Sequence, residues 1–452
     1  MKRLYRYFNE NFAAACSKMR HMERRIGSEL KFPLVNRDGS AADYSHVTAL
    51  WQYLSEHGWK PLQDTMTGTI VGARQKGPFN DTVASCETGY CKIEFSLAHV
   101  GDLFELEQEI KNVVHLMRGF SEKRNVYFLG YGIQPLTPPS KRLLIKKGRS
   151  SVWDKVFSSN EYIQPDEGDD VHLFTINAAS HVHVSVSPEE AVQAVNVLNG
   201  FAGPQIALNG HSNIWKGFPD EQYKCVSEKM WDWWMGDTGR VGVPYRPFDD
   251  LQHYIETVSE FKPVFIMRDD KPVVLTRYGS FKEYFCSGKA FGVDADGREI
   301  AVTTEPSDFD LHSTCYWYNA RISRYYTVEN RVNDQQPPDS LITIPALTLG
   351  LVTAADESWE ELCSRDWSMH RQARDEACRN GLAVSLQSCE NSEYAERMVA
   401  LACLGLKKRG RGEDAFLEPL YTRLAKRQSP ADEVRSIFCK NGLAGLVEER
   451  MI

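Results

Sequence analysis

The rest of this chain is organised around residues His312–Asp334, HSTCYWYNARISRYYTVENRVND. Within them, TVENRV alternates in a way that predicts a β-strand with Glu329 and Arg331 on one face. On a sheet that lines a cleft, such a carboxylate can bind a metal ion, and the guanidinium can bind phosphate oxygens in its planar fork. The same pair is also common on exposed strands, so its meaning depends on the other motifs of the chain.

The composition is that of an ordinary globular protein. The length of 452 residues exceeds the roughly 100 to 200 residues of one domain, which predicts two or three subdomains or one large α/β body. Hydrophobic residues make up 42% and charged residues 25%, as in typical folded proteins. The net charge of −8 gives no reason to expect a nucleic-acid partner.

The N-terminal residues MKRLYRYFNENFAAACSKMRHMERR lack the uninterrupted apolar core of a signal peptide. No run of about 18 apolar residues occurs elsewhere, so we expect a cytoplasmic protein without a membrane partner. The 11 cysteines form no CxxC pair, which favours reduced thiols over a disulfide framework or a zinc site.

Hydrophobic periodicity predicts the order of the helices and strands. Strands are expected over 26–32, 68–74, 83–96 and 272–276 and within 170–186, and helices over 1–25, 43–57, 101–122 and 281–285. After the central residues the pattern is helical, with helices expected over 340–353, 357–380, 391–409 and 413–427.

Two of the expected strands carry further candidate ligands. In ASCETGYCKIEFSLA, Glu87 and Glu94 are seven residues apart, with Gly89 between them. A bulge at the glycine would bring both carboxylates to one cleft, whereas strict alternation would put them on opposite faces. His181 and His183 share one strand face, as a metal or phosphate pair or as two structural histidines.

Taken together, these motifs form a specific series. In chain order they are IGSE (26–29), ETGYCKIEFS (87–96), LGYGIQP (129–135), KKGR (146–149), HVHV (181–184), MWDWWMGDTGR (230–240), HSTCYWYNAR (312–321), TVENR (327–331) and GLKKRG (405–410). The series resembles the glutamate–cysteine ligases of the plant and proteobacterial type and the related bacterial carboxylate–amine ligases, over nearly the whole chain.

The resemblance implies an α+β protein with a glutamine-synthetase-like fold. In this fold a curved, mainly antiparallel sheet surrounds a cleft for ATP and metal ions and is packed with helices. We expect a catalytic body over 1–355 and a helical C-terminal region over 356–452 packed on it. The implied reaction is ATP-dependent amide ligation, in which the γ-carboxylate of glutamate is phosphorylated and an amine then displaces the phosphate.

Such a reaction brings the negative charges of ATP and glutamate together. The resemblance therefore implies two or three Mg²⁺ ions, together with arginines that take up the charge of the transferring phosphoryl group. Besides ATP, the expected partners are glutamate and a small amine or amino acid, and the expected state is a monomer or a homodimer.

Matching motif by motif, the resemblance also implies the site residues. The implied metal ligands are Glu29, Glu87, Glu94, His183 and Glu329. Arg331 is assigned to phosphate, and Arg321 and Arg240 to the substrate carboxylate or the γ-phosphate. Lys147, Arg149, His181 and Arg324 are further candidates for binding the cofactor.

Three features depart from the family pattern: Lys31, Asn319, and the spacing of Glu87 and Glu94, which are one residue further apart than in the family. Lys31 stands where the family carries the second acid of its GxExE strand, and a charged lysine cannot bind magnesium. Either one metal position is lost, with the ammonium replacing part of its charge, or another carboxylate moves in. Asn319 also replaces an acid. The hypotheses are therefore ligation of cysteine, ligation of a different amine by the same mechanism, and a non-catalytic regulator that binds nucleotide or glutamate.

Overall fold

The structure is a computed structural model. A nine-stranded sheet forms its centre. The structure describes residues 1–17, 24–77, 79–148, 152, 157–294, 296–383, 385–386 and 389–452. The strands of the described residues are β1 Ile26–Val35, β2 Lys60–Gln63, β3 Ile70–Gln75, β4 Thr82–Cys86, β5 Lys92–Ser96, β6 Tyr127–Phe128, β7 Ala179–Ser185, β8 Ile214–Trp215, β9 Phe218–Pro219, β10 Val241–Gly242, β11 Phe265–Arg268, β12 Lys271–Val274, β13 Lys289–Val293, β14 Glu299–Thr303, β15 Trp317–Tyr318, β16 Ala320–Ile322, β17 Thr327–Asp334, β18 Ser385–Leu386 and β19 Cys389–Glu390.

The large sheet is antiparallel throughout. Its strand order is β16-β17-β7-β1-β5-β4-β3-β2, with β6 paired to the end of β1. Strands β11 to β14 form a second, four-stranded antiparallel sheet.

Helices cover the sheet and form the C-terminal part of the chain. They are α1 Lys2–Ser17, α2 Tyr44–Glu56, α3 Leu103–Arg124, α4 Pro188–Gly200, α5 Ala202–Asn209, α6 Val226–Met235, α7 Leu251–Ser259, α8 Phe281–Cys286, α9 Asp308–His312, α10 Thr343–Thr353, α11 Ala355–Cys363, α12 Trp367–Asn380, α13 Asn391–Arg409, α14 Glu418–Lys426 and α15 Pro430–Arg450. Among the described helices, none has the length and apolar character needed to cross a membrane.

The central strand β1 separates an apolar layer from a charged one. Ile26, Leu30 and Phe32 are almost fully buried and alternate along the strand with Glu29 and Lys31. Helix α10 lies against β1 and β7, and α4 and α5 lie against β17. Because the helices cover the apolar face, the charged residues of β1 meet those of the neighbouring strands on the opposite face.

The structure confirms the mainly antiparallel α+β architecture and corrects several expected elements. The single strand expected over 83–96 is a hairpin, since β4 ends at Cys86 and β5 begins at Lys92. The one strand expected over 272–276 is part of the four-stranded sheet. The helix expected over 357–380 is two helices, and α15 was not predicted. The N-terminal helix ends at Ser17, and residues 18–23 lie outside the described part of the chain.

Candidate active site

Three adjacent strands bring the candidate ligands together on the charged face of the sheet. Strand β1 carries Glu29 opposite His181 of β7, and His183 of β7 lies opposite Glu329 of β17. Residues that are paired across neighbouring strands lie about 5 Å apart, so side chains on the same face can contact one another. The alternation that was read from the sequence therefore produces a compact cluster.

Glu29, His183 and Glu329 form the group that is best arranged to hold a metal ion. One potential ligand atom from each lies within 4.8 Å of the others, and His183 Nε2 is 3.3 Å from Glu29 Oε1. The other ring nitrogen of His183 lies 2.9 Å from the Thr327 hydroxyl, which fixes the orientation of the ring. Two carboxylates and an imidazole suit Mg²⁺ or Mn²⁺, so these residues fit the metal that the resemblance implies.

Two guanidinium groups bind the Glu329 carboxylate. Arg321 Nε donates to Glu329 Oε2 at 2.8 Å, and Arg331 donates to Oε1. Burial alone would raise the pKa of Glu329, but the charges of Arg321 and Arg331 hold this pKa well below its usual range. Arg321 also donates to the backbone carbonyls of Thr314 and Tyr316, whereas Arg331 lines the adjacent cavity.

Lys31 lies among the other predicted metal ligands. Its Nζ is 2.8 Å from Glu87, 3.2 Å from Glu94 and 3.5 Å from Glu29. Burial would lower the pKa of Lys31, but the three carboxylates raise it above its usual value, so the amine is charged. The structure thus brings Glu87 and Glu94 together, but it places an ammonium between them.

The hairpin explains how Glu87 and Glu94 reach the same point. Glu87 follows the end of β4 and Glu94 lies on β5, so the turn between the strands replaces the expected bulge. Burial raises the pKa of Glu94 to about 8, although Lys31 opposes this shift. Glu87 also contacts Lys92 Nζ at 3.2 Å, and its pKa lies well below the usual value because the charges of Lys31 and Lys92 outweigh burial.

His181 lies between the two parts of the cluster. Its Nδ1 is 3.1 Å from Glu29, 3.1 Å from Lys31 Nζ and 3.6 Å from Glu329. Burial and the nearby Lys31 charge lower the pKa of His181 to about 3, so the ring is neutral at physiological pH. This candidate cofactor-binding residue is therefore held inside the cluster by charged neighbours.

A cavity of about 140 Å³ opens beside the cluster. Its lining residues include Lys31, Glu87, Lys92, His181, Arg331, Phe174, Trp231, Trp317, Asn319 and Asp334. The aromatic side consists of stacked rings, with centroids 3.9 Å apart for Phe174 and Trp231 and 5.5 Å apart for Trp231 and Trp317. The cavity thus has a charged wall and an aromatic wall. Such a cavity suits a ligand that has one polar part and one apolar part.

The structure places the side chains of Arg240 and Arg324 away from the cavity. Arg240 is 3% exposed, donates to the backbone carbonyls of Lys262 and Cys315, and lies over the rings of two phenylalanines. Arg324 is exposed and contacts Tyr325 in the turn between β16 and β17. Neither side chain lines the cavity.

Two residues of the KKGR motif, Lys147 and Arg149, were candidates for binding the cofactor. Lys147 donates to the backbone carbonyl of Cys86, directly before Glu87, so it lies beside the hairpin rather than in the cluster. Arg149 lies outside the described residues.

Sequence reasoning missed several residues of the site. Lys92 lies two residues before Glu94 on the same strand, so the alternation that linked Glu29 with Lys31 could have identified it. Glu228 on α6 accepts hydrogen bonds from Asn319 at 2.5 Å and from Arg374 at 2.7 Å. No local pattern predicts this contact, because it joins three distant segments.

A mainly antiparallel sheet with carboxylates, imidazoles and guanidiniums beside one cavity defines the class of protein as an ATP-dependent carboxylate–amine ligase of the glutamine-synthetase-like fold. The chain belongs to the Glutamate-cysteine ligase family 2 (GCS2), whose family model matches residues 51–449. The resemblance inferred from the motifs is therefore confirmed.

Relatives and solved structures support the same assignment. The chain is 23% identical over 424 residues to the chloroplastic glutamate–cysteine ligase of Medicago truncatula, covering 92% of this chain and 78% of that protein. It is 24% identical over 431 residues to the Arabidopsis thaliana enzyme, covering 92% and 76%. The crystal structure of the Francisella tularensis glutamate–cysteine ligase in complex with AMP has a TM-score of 0.55 at 10% identity, covering 95% of this chain and 88% of that one. This last likeness shows the shared fold.

Proposed function

We propose that this protein joins the γ-carboxylate of glutamate to the amino group of an amino acid, with cysteine as the first candidate, through an acyl phosphate formed from ATP. The observation that carries the proposal is the group of Glu29, His183 and Glu329, because Glu329 is bound by Arg331, which lines the neighbouring cavity. This arrangement puts a possible metal-binding group next to a guanidinium that can bind phosphate, and phosphoryl transfer requires both.

The charge of the cluster supports the proposal. Among the described residues, the carboxylates of Glu29, Glu87, Glu94 and Glu329 contact the cations of Lys31, Lys92, Arg321 and Arg331. Because its raised pKa keeps Glu94 largely protonated near neutral pH, the cluster carries a small positive charge before any ligand binds. A divalent ion held by Glu29, His183 and Glu329 would add to this charge and would supply the charge that ATP and glutamate need on their oxygens.

The reaction has two steps. In the first, an oxygen of the γ-carboxylate attacks the γ-phosphorus of ATP, the bond from this phosphorus to the bridging oxygen breaks, and ADP leaves with the electron pair. In the second, the amine attacks the acyl carbon, the bond between this carbon and the phosphate oxygen breaks, and the amine loses a proton as the amide forms. In both steps the Arg331 guanidinium is placed to bind phosphate oxygens.

A different amine is the second candidate substrate. The rings of Phe174, Trp231 and Trp317 line one side of the cavity, where they can pack against an apolar part of an amine. Asn319, where the family pattern has an acid, points its amide at Glu228 in the same wall. The change at Asn319, together with Lys31 in place of a family acid, is what favours an amine other than cysteine.

The test is phosphate release from Mg-ATP and glutamate in the presence of each member of a panel of amines, with mass spectrometry of the products. We expect phosphate and a γ-glutamyl product in equal amounts with one or a few amines. The Glu329→Gln variant is the control for a contaminating ligase. ATP binding without phosphate release for any amine would contradict the proposal and favour a non-catalytic regulator.

A further inference from the structure

Lys31 is the most unusual group of the site, because its ammonium lies at a point where the surrounding carboxylates could otherwise bind a metal ion. Three carboxylates surround Nζ at 2.8 to 3.5 Å, and His181 Nδ1 lies at 3.1 Å. The side chain is 4% exposed, so water provides little of the solvation of the charge. Carboxylate and imidazole groups on several sides of one point are the environment of a bound metal ion.

Glu29 connects this point with the candidate metal group. Its Oε2 lies 3.5 Å from Lys31 Nζ, while its Oε1 lies 3.3 Å from His183 Nε2. One carboxylate thus faces two neighbouring cation positions, one of which is filled by the protein itself. At the other position, one potential ligand atom from each of Glu29, His183 and Glu329 lies within 4.8 Å of the others, so these groups can receive a metal ion.

We propose that the Lys31 ammonium permanently occupies a cation position among Glu29, Glu87 and Glu94, so that this ligase binds one divalent ion, at Glu29, His183 and Glu329. The inference deepens the proposed function and rests on it for its meaning in catalysis. It decides between the alternatives that the sequence left open: the ammonium replaces one metal ion, and no other carboxylate moves in to restore that ion.

Electrostatics and anchoring explain why a metal ion would not displace the ammonium. Divalent magnesium binds oxygen at about 2.0 to 2.1 Å, so an ion shared by Glu87 and Glu94 would have to take the space that Nζ fills. The two cations cannot share this space, because like charges this close repel strongly in a buried site. The pairing of β1 with β5 and β7 holds the backbone at Lys31, and the side chain, which is 4% exposed, is enclosed by its neighbours.

The ion count can be measured directly with Mn²⁺ as the probe. Electron paramagnetic resonance distinguishes free from bound Mn²⁺, and the titration contains neither ATP nor glutamate. We expect one Mn²⁺ per wild-type chain, none in Glu329→Gln, and two in Lys31→Met, because the methionine leaves the three carboxylates without a cation. We also expect Mn²⁺ to raise the melting temperature of Lys31→Met more than that of the wild type.

Lys92→Met is the matched control. Lys92 is also a buried lysine that contacts Glu87, but its other described partners are Asn177 and the Phe174 carbonyl, so removing it leaves no set of three carboxylates. We expect this variant to bind one Mn²⁺, like the wild type. A gain of an ion in both lysine variants would overturn the specific role of Lys31.

Two further results would overturn the inference. The first is two or more Mn²⁺ per wild-type chain, a result that does not depend on any variant. The second is a folded Lys31→Met protein that still binds one ion. If Lys31→Met fails to fold, Lys31→Gln and the wild-type count still test the inference. Because the titration contains no substrates, a failure of the ligase proposal would appear only in the product assay and not in the ion count.

Discussion

At the scale of single residues, Arg331 and Arg240 have different surroundings, although both were candidates for binding anionic groups of the substrates. Arg331 binds Glu329 and lines the cavity, whereas Arg240 donates to backbone carbonyls away from it. A guanidinium at the cavity can stabilise charge that develops in the transition state, while one that satisfies buried carbonyls contributes to stability.

Replacement of each arginine by alanine tests this difference. We expect Arg331→Ala to lower kcat by roughly 10²-fold, because charge stabilisation of the phosphoryl group is lost. We expect Arg240→Ala to change kcat little and to lower the free energy of unfolding by roughly 1–3 kcal/mol, because two buried carbonyls lose their donor. Initial rates and thermal denaturation of both variants measure the two effects, and the reverse pattern would contradict these assignments.

Asp334 gives a pH dependence of stability. It accepts hydrogen bonds from the His211 backbone at 2.6 Å, from the Ser212 hydroxyl at 2.8 Å, and from Ser227 and Cys225. Burial nevertheless raises the pKa of Asp334 from 3.8 to about 6. Because the folded-state pKa is the higher one, the folded protein binds more protons between these values, and its stability falls as the pH rises through this window.

The predicted contribution of Asp334 is a loss of roughly 3 kcal/mol in the free energy of unfolding as the pH rises from about 4 to about 7. Asp334→Asn removes the titrating group and should remove this part of the pH dependence. Denaturant unfolding of both proteins at the two pH values measures it. The same pH dependence in the variant and the wild type would assign the effect to other groups.

At the scale of elements, the β4–β5 hairpin sets the position of Glu87. Its turn packs against the segment before β7, and a Cβ atom at Gly89 would lie 1.9 Å from the Thr175 carbonyl oxygen. We expect Gly89→Ala to displace the turn, which should lower stability by about 1–3 kcal/mol and reduce turnover because Glu87 moves with it. Gly101→Ala is the control, because its new Cβ would meet only Glu105, at 3.6 Å. Equal effects of the two substitutions on turnover would show that the hairpin does not position the site.

The strands also show how far the site could be predicted from sequence. Alternation with period two correctly placed Glu29 with Lys31, His181 with His183, and Glu329 with Arg331, because these pairs depend only on local strand geometry. It failed for the hairpin, whose turn is fixed by the contact of Gly89 with a distant segment. It also could not show that Lys31 would lie between Glu87 and Glu94, since that depends on the pairing of β1 with β5.

At the scale of the whole molecule, the C-terminal helices are joined closely to the sheet. The Gly130 amide donates to the Arg450 carbonyl at 2.7 Å, and the Ile452 amide donates to the Phe128 carbonyl at 2.9 Å. In addition, the Leu103 amide at the start of α3 donates to Glu413 at 2.9 Å. These hydrogen bonds connect residues of the predicted C-terminal region, 356–452, with residues of the predicted body.

We therefore expect a single cooperative unfolding transition. Far-UV circular dichroism reports all the helices, while tryptophan fluorescence reports mainly the body, which contains Trp231 and Trp317. The two probes should give coincident denaturant curves. An earlier transition in the dichroism alone would mean that the C-terminal helices unfold independently.

The most direct test of the central claim, ligation through an acyl phosphate, follows an oxygen atom. Glutamate labelled with ¹⁸O in its γ-carboxylate is turned over with ATP and the amine that the product assay identifies, and the released phosphate is analysed by mass spectrometry. The account predicts one ¹⁸O in each phosphate from fully labelled glutamate, because the amine expels the phosphate together with the oxygen that attacked phosphorus. Phosphate without ¹⁸O, released in step with product, would contradict the acyl-phosphate mechanism.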